Sequence, residues 1–375
     1  MPSFFRKVFN VLRRPGDGKL LEAVGWIKRA LGLGANAAPA QQPVEAPDRA
    51  PVHVAAQSAA ESAVASFTEQ IFRFGDADYR YRVYFPATGH QDNRASLPLV
   101  VLLHGCKQDA TDFALGTAMN ALADHDKCVV LYPEQRPAVN PMRCWSWYDT
   151  AHQRRGAGEP GMIAALTRQV LHAHSADPAR IYIAGLSAGG AMAALVARLY
   201  PELFAAVGVH SGLPAGAATN LISAMSAMRQ GSHRTAFIGE PGKRLPTIVF
   251  HGDADATVHP DNGEKIVSAA LAAWDAAGLA LTKLERCEGE VATHSDTPNR
   301  STRRTTYSGT DGKPYVDYWA IGAGPHAWSG GNLAGSFTDP QGPGASRAML
   351  AFFLQHRHPA HASRMAQTGA AASPV

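Results

Sequence analysis

The 375-residue sequence contains few cysteines, and this shortage excludes two classes of protein. Its four cysteines are too few for a disulfide-scaffold protein. None of them forms a C-x-x-C motif or a Cys/His cluster with zinc spacing, so we expect no structural metal. Four cysteines would permit up to two bridges, and if the chain is exported, Cys128 and Cys144 are the favoured pair.

The sequence also lacks long apolar runs, and it lacks an excess of basic residues outside its first 33 positions. No run of 18 apolar residues occurs, which argues against a membrane-spanning helix. The N-terminus lacks the apolar core and small-residue cleavage site of a signal peptide, so the chain is expected to remain in the cytoplasm. The net charge is +4, but residues 1–33 alone carry +5 and the remainder sums to −1. This nearly neutral body predicts no nucleic-acid partner.

Three segments are expected to lie outside the folded body. Residues 1–33 resemble two short basic amphipathic helices broken at Pro15-Gly16, with apolar stripes at helical spacing. Such a pair could bind a membrane surface, or dock on this protein or on a second subunit, which is the commoner outcome. Residues 34–66 are rich in Ala, Pro and Gln and have no aromatic residue, which predicts a disordered linker. Residues 359–375 are expected to form a disordered tail.

Residues 67–358 alternate between strand-like and helix-like patterns, which predicts one α/β domain. The short apolar runs PLVVLLHG, CVVLYPE, IYIAGLS and TIVFHG are typical of parallel strands that are covered by helices on both faces. Strands are predicted at Phe67–Phe74, Tyr79–Phe85, Leu97–Leu103, Val129–Tyr132, Ile181–Ala184, Phe204–Val209, Thr247–Phe250 and Tyr315–Ile321. Helices are predicted near Asp112–Ala123, Met162–His174, Ala188–Tyr200, Gly263–Ala277 and Ala345–Gln355. The first two strands, joined by GDAD, are expected to pair antiparallel.

A G-x-S-x-G motif stands between the strand pattern IYI and the helix pattern AMAALVARLY. In that setting the motif is typical of a nucleophile elbow, which here would present Ser187 above the sheet. The turn forces strained backbone angles on the serine and brings the strand and the helix together. Gly185 and Gly189 are therefore expected to be positions where a side chain would not fit.

A serine nucleophile requires a base that is oriented by an acid, and on this fold the order along the chain is Ser, acid, His. TIVFHGDADATV offers Asp253 and Asp255, of which we favour Asp255 as the acid and assign Asp253 a turn-stabilising role. His326, in the glycine-rich loop GAGPHAWSGG after a strand, is the predicted base.

The backbone N–H groups of Ala188 and Cys106 are the predicted oxyanion donors, since one follows the nucleophile and the other follows an early strand. The Cys106 thiol is not expected to take part. Trp147 and Trp328 could line the substrate pocket or could belong to the core.

The motifs LLHGCKQDATDFA, CWSWYD, IYIAGLSAGGAMAALVARLY, HGDADATVHP and GPHAWSGG together resemble the polyhydroxybutyrate depolymerase family of esterases. The resemblance extends from about Phe67 to Gln355 and implies an α/β-hydrolase fold. It supports the triad Ser187, Asp255 and His326, and Cys106 in the oxyanion loop. It also implies hydrolysis of 3-hydroxyalkanoate or other short-chain esters through an acyl-enzyme without a cofactor.

Two alternatives remain open. Feruloyl and acetyl-xylan esterases share similar motifs, so a carbohydrate ester is the competing substrate class. A non-catalytic scaffold associated with a granule or membrane would explain the basic N-terminal helices, for which a lipid or polyester granule surface is a conceivable partner. The complete set of triad candidates argues against the scaffold.

Overall fold

The computed structural model describes residues 64–87, 97–233, 244–288 and 300–359, and the described elements are built around a ten-stranded sheet. The strand order is β1-β2-β4-β3-β5-β6-β7-β10-β9-β8. These strands are β1 (Ser66–Phe74), β2 (Ala77–Phe85), β3 (Leu99–Leu103), β4 (Val129–Pro133), β5 (Ile181–Leu186), β6 (Ala206–His210), β7 (Thr247–Gly252), β8 (Thr282–Glu288), β9 (Thr302–Ser308) and β10 (Pro314–Ile321). A separate two-stranded pair joins β11 (Trp328–Ser329) and β12 (Thr338–Asp339).

The six central strands β4, β3, β5, β6, β7 and β10 run parallel. The residues of β3 alternate between two buried clusters: Leu99, Val101 and Leu103 face one, while Val100 and Leu102 face the other. Because both faces of these strands are buried, their sequences are continuously apolar rather than alternating. Helices α3 (Gly158–Ala173), α4 (Ala188–Leu199) and α6 (Asp261–Asp275) cover the first face. The second is covered by α1 (Ala110–Thr117), α2 (Met119–His125) and α7 (Ala345–Phe353).

The eight strands expected from the sequence are confirmed with small shifts of their ends, and β1 and β2 pair antiparallel around Gly75-Asp76 as predicted. The antiparallel strands β8 and β9 were not predicted. Their sequences, TKLERCE and TRRTTYS, are mostly polar and extend one side of the sheet. Pairing, rather than an apolar pattern, defines them as strands: β9 pairs with β10, and β8 pairs with β9.

The helix predicted over Asp112–Ala123 is instead two helices, which is a correction. Ala118 adopts left-handed backbone angles (φ 50°, ψ 23°), so α1 ends there and α2 begins. Alanine carries no sequence signal for such a break. Helix α5 (Leu221–Gln230), which begins at a capping box formed by Asn220 and Ser223, was also not predicted.

The helices predicted in residues 1–33 and most of the predicted linker and tail lie outside the described residues. Within the described ranges, the helices are all too short or too polar to cross a membrane.

Candidate active site

Ser187 lies in the sharp turn between β5 and α4. Its backbone angles, φ 58° and ψ −119°, fall in a region that a residue with a side chain rarely adopts. The Ser187 N–H donates to the carbonyl of His210 at the end of β6 (2.9 Å), which fixes the turn to the neighbouring strand. The strained turn therefore presents the hydroxyl at the carboxyl edge of the parallel strands, as the G-x-S-x-G pattern predicts.

The two glycines of the motif permit this turn. A Cβ atom on Gly185 would lie 2.5 Å from the carbonyl oxygen of Gly189, and one on Gly189 would lie 2.1 Å from that of Leu103. Both clashes are with backbone, which cannot rotate away as a side chain can. Strand β5, helix α4 and the end of β3 therefore approach as closely as they do only because both positions lack side chains.

The structure brings Ser187, His326 and Asp255 together in a chain of hydrogen bonds. The distance from Ser187 Oγ to His326 Nε2 is 2.9 Å, and that from His326 Nδ1 to Asp255 Oδ2 is 2.7 Å. Since an ionised carboxylate can only accept, the network assigns the proton to Nδ1 and leaves Nε2 to accept from the serine hydroxyl. The imidazole is thus held in the tautomer that a general base requires.

Asp255 is buried at the end of β7 and is surrounded by donors. Its Oδ1 accepts from the backbone N–H groups of Thr257 and Val258 at 2.9 and 2.8 Å. His251 Nε2 lies 3.5 Å from Oδ2. Burial by itself raises the pKa of a carboxyl group, but the hydrogen bonds from His251, His326 and Val258 outweigh it, and the pKa of Asp255 is lowered. The group is therefore a carboxylate at neutral pH.

Asp253, the competing acid, does not contact His326 in this arrangement. Its carboxylate is exposed and accepts from the backbone N–H of Ala323 at 2.6 Å, in the loop that leads to His326. Asp253 therefore stabilises more than its own turn. It attaches the start of the histidine loop, residues 322–344 between β10 and α7, to the end of β7.

Three of the central parallel strands, β3, β6 and β7, each place a buried histidine at or next to their carboxyl ends: His104, His210 and His251. Burial lowers the pKa of His104 to about 4 and that of His210 to about 3, so both are neutral at pH 7. Neutral His210 Nε2 accepts from the Ser329 N–H (3.0 Å), three residues after His326, and so anchors the histidine loop. These residues were not predicted, although a histidine at the end of each of three apolar strand patterns was a visible signal.

The oxyanion loop, residues 104–109, follows β3. Its three consecutive backbone N–H groups at Gly105, Cys106 and Lys107 differ in whether they already donate a hydrogen bond. The Gly105 N–H donates to Gln108 Oε1 (3.0 Å), and the Lys107 N–H donates to the Met142 carbonyl (2.7 Å). The Cys106 N–H between them has no acceptor among the described residues. Ala188 is the first residue of α4, where the backbone N–H has no partner within the helix. The two predicted donors are thus the amides left available on either side of the elbow.

The disulfide expectation was wrong. Cys144 pairs with Cys106, not with Cys128, across 38 residues of sequence. Cys128 is a buried free thiol, and burial raises its pKa to about 12. Sequence separation could not distinguish these pairs, because the contact depends on the segment after β4 folding back over the oxyanion loop. The Cys106 sulfur therefore has a structural role that was not predicted: it attaches the oxyanion loop to Cys144.

The two aromatic pocket candidates differ. Trp328 belongs to the core, which corrects its assignment to the pocket: it is 1% exposed, stacks on His210, packs against Phe113 and donates to Ser346 Oγ (2.9 Å). Trp147 is also buried and packs edge-on against Tyr148, and its contact with substrate stays a prediction.

Among the described residues, no cluster of His, Cys, Asp or Glu side chains has the arrangement of a metal site.

A mostly parallel sheet with helices on both faces, a strained strand–turn–helix serine, and an acid and a histidine after later strands together define an α/β-hydrolase. Residues 79–286 match the family model described as esterase PHB depolymerase, and this match covers more than half of the chain. The chain belongs to this family of esterases.

Curated relatives include both polyester and carbohydrate esterases. Poly(3-hydroxyalkanoate) depolymerase C of Paucimonas lemoignei is 34% identical over 183 residues, which cover 46% of this chain and 44% of that protein. The chain thus spans less than half the length of this relative. Feruloyl esterase B of Thermothelomyces thermophilus is 28% identical over 237 residues, covering 59% of this chain and 78% of that protein.

Among solved structures, an acetyl xylan esterase from Aspergillus awamori matches with a TM-score of 0.52 and 22% identity, covering 69% of this chain and 94% of its own. This match supports the fold.

Proposed function

We propose that this chain hydrolyses carboxylic esters through a covalent acyl-serine intermediate on Ser187. The observation that carries the proposal is the continuous line of hydrogen bonds from Ser187 Oγ to His326 (2.9 Å) and from His326 to Asp255 (2.7 Å). A serine hydroxyl is a weak nucleophile at neutral pH, and this geometry supplies both a base and an acid that orients it.

In the acylation half-reaction, Ser187 Oγ attacks the ester carbonyl carbon and its proton passes to His326 Nε2. The backbone N–H groups of Ala188 and Cys106 would donate to the oxygen that becomes negative. When the tetrahedral intermediate collapses, the bond to the alcohol oxygen breaks and His326 returns the proton to that oxygen. The acyl group is then esterified to Ser187.

Deacylation repeats these steps with water as the nucleophile. His326 Nε2 accepts a proton from the water while its oxygen attacks the acyl carbon. The proton then returns to Ser187 Oγ as that bond breaks, and the carboxylic acid leaves. Throughout, ionised Asp255 stabilises the imidazolium without taking its proton.

The substrate class that we propose is a 3-hydroxyalkanoate ester, as an oligomer or a non-crystalline polyester. It is supported by the family match and by the relative named poly(3-hydroxyalkanoate) depolymerase C. The competing class is a feruloyl or acetyl ester of a carbohydrate, supported by relatives named feruloyl esterase B and acetylxylan esterase A.

The test of the chemistry is Ser187→Ala assayed with p-nitrophenyl butyrate, with Ser268→Ala as the control because Ser268 lies on the exposed side of α6. We expect a loss of kcat of at least about 10⁴-fold for Ser187→Ala with an unchanged unfolding temperature, and no change for the control. Full activity in the Ser187→Ala protein would overturn the proposal.

The substrate class is tested by comparing kcat/KM on hydroxybutyrate oligomers, feruloylated sugar and acetylated xylan. A higher value on the hydroxybutyrate oligomers is expected. A clear preference for either carbohydrate ester would replace the polyester assignment with the carbohydrate one.

We further propose that residues 1–33 attach the catalytic unit, residues 67–358, to a lipid or polyester granule surface through the linker 34–66. The support is the basic amphipathic pattern of residues 1–33. Deleting residues 1–66 should abolish co-sedimentation with granules and leave turnover of soluble esters unchanged. Granule binding by the shortened protein would contradict this role.

A further inference from the structure

Gln108, in the oxyanion loop, connects two loops that are more than 200 residues apart in the sequence. It is 1% exposed and follows β3 by five residues. Its Oε1 accepts from the Gly105 N–H at 3.0 Å. Its Nε2 donates to the Ser336 carbonyl at 2.9 Å and to Asp112 Oδ2 at 3.0 Å. One buried side chain thus bonds both the oxyanion loop and the segment after the catalytic histidine.

Only one orientation of this amide satisfies all its partners. The Gly105 N–H must face an acceptor, whereas the Ser336 carbonyl and the Asp112 carboxylate must face a donor. Reversing the amide would leave a buried N–H opposite an N–H and an oxygen opposite two oxygens, which is strongly unfavourable. Gln108 is therefore fixed in both position and direction.

Asp112 on α1 completes the connection to the histidine loop. Its Oδ1 accepts from the Ser336 N–H (2.8 Å) and its Oδ2 from the Ser336 hydroxyl (2.5 Å). The backbones also touch directly, since the Asn332 N–H donates to the Gly116 carbonyl (2.8 Å). Residues 332–336 are therefore bound to α1 by hydrogen bonds from both backbone and side chain.

From Ser336 the connection runs back to the base through main-chain bonds. The Phe337 carbonyl, one residue later, accepts from the Trp328 N–H at 2.7 Å, and β11 pairs with β12 at this point. Trp328 lies two residues after His326. The loop that carries the base and the loop that carries the oxyanion donor are therefore held to each other by the Gln108 amide and the Asp112 carboxylate.

We propose that Gln108 is a positioning residue for the oxyanion hole. This inference rests on the function proposed above. By accepting from the Gly105 N–H, the Gln108 side chain fixes the peptide plane between His104 and Gly105. The Gln108 backbone N–H donates to the Gly105 carbonyl (3.3 Å), which lies in the same peptide plane as the Cys106 N–H. The Lys107 N–H is fixed from the other side by Met142, so the Cys106 N–H is the one amide of the three left to meet the developing oxyanion.

The test is Gln108→Met, which conserves side-chain volume and removes every hydrogen bond of the amide. Sites are counted by titration with a fluorophosphonate, so that misfolded protein does not contribute to kcat. With p-nitrophenyl butyrate we expect kcat per titrated site to fall about 10- to 100-fold, because a displaced donor costs up to about the 10²-fold of a removed one. KM should change less than about threefold, since the ground-state carbonyl makes little use of this donor.

Two further measurements separate positioning from general damage. The pH midpoint of kcat/KM should not move, because Gln108 does not contact Asp255 or His326. The matched control is Asn262→Leu, which removes a buried amide bonded to the Ser232 N–H and the Ala227 carbonyl, away from the oxyanion loop. It should lower the unfolding temperature and leave kcat per site unchanged.

If Gln108→Met does not fold, Gln108→Asn keeps the amide on an arm shorter by one methylene group and should show the same split between kcat and KM. Unchanged kcat per site in a folded Gln108 variant, or a shifted pH midpoint, would overturn the inference. If instead the wild-type protein shows no Ser187-dependent turnover, the proposed function itself fails.

Discussion

The nucleophile elbow and the two loops beside it reach the same edge of the sheet by different physical means. At the elbow, position is set by backbone packing: Gly185 and Gly189 let β5, α4 and the end of β3 approach within distances that no Cβ would permit. In the loops, position is set by polar side chains and a disulfide, as in the bonds of Asp253 to Ala323 and of Gln108 to Gly105.

This difference indicates how each part should respond to mutation. A change at the elbow disturbs the junction of three elements and therefore the fold. A change to one of these polar bonds leaves the sheet intact and should affect the rate, because the bonds position the donors and the base rather than pack the core.

The largest effect on the packing of the folded protein is expected from Gly189→Ala. The added Cβ would lie 2.1 Å from the Leu103 carbonyl oxygen, so backbone must move, and we expect a loss of about 3 kcal/mol or more in the free energy of unfolding. Urea denaturation measures it. The control is Gly344→Ala at the start of α7, where the nearest atom to an added Cβ is 3.9 Å away and the expected change is a few tenths of a kcal/mol. Equal stability of the two variants would contradict the conclusion that close backbone packing sets the position of the elbow.

The largest effect on the rate is expected from Asp255→Asn. The amide oxygen must accept from the Thr257 and Val258 N–H groups, so the NH₂ faces His326 Nδ1 and cannot accept from it. The imidazole then adopts the wrong tautomer, and kcat should fall about 10⁴-fold with little change in stability. The matched control is Asp253→Asn, since an asparagine oxygen can still accept from the Ala323 N–H. It should lower kcat less than about threefold. Similar losses in both variants would mean that the loop attachment, and not the acid, limits the rate.

The smallest effect on the rate is expected from removing the Cys106–Cys144 disulfide by Cys106→Ser and Cys144→Ser together. The bond closes a loop of 38 residues, so its loss should reduce the free energy of unfolding by about 3 kcal/mol. Because Gly105 and Lys107 keep their hydrogen bonds, kcat should fall only about tenfold. Denaturant titration and kinetics test both values.

Cys287→Ser, at an exposed position, is the control for that prediction and should change neither value. A thiol count of two in the unreduced, denatured wild-type protein would agree with a single disulfide. A count of four would contradict it.

The sequence was most informative where local pattern and tertiary structure coincide. The apolar strands and the G-x-S-x-G turn could be predicted because each depends on its immediate neighbours. The order along the chain pointed to Asp255 and His326, whose catalytic roles stay predictions. Strands β8 and β9 could not, since their mostly polar residues become strands only by pairing in sequence, β9 with β10 and β8 with β9. The position of Trp328 in the core could not be predicted either, because an indole side chain is equally compatible with a substrate pocket and with a protein core.

By itself, then, the sequence determined the parallel sheet, the elbow and the identity of the three triad candidates, because apolar periodicity and glycine placement act over a few residues. Only the tertiary structure decided which cysteine pairs with Cys106, and that Gln108 joins the oxyanion loop to the histidine loop. Both contacts form between residues far apart along the chain, and their geometry depends on how the loops close over the finished sheet.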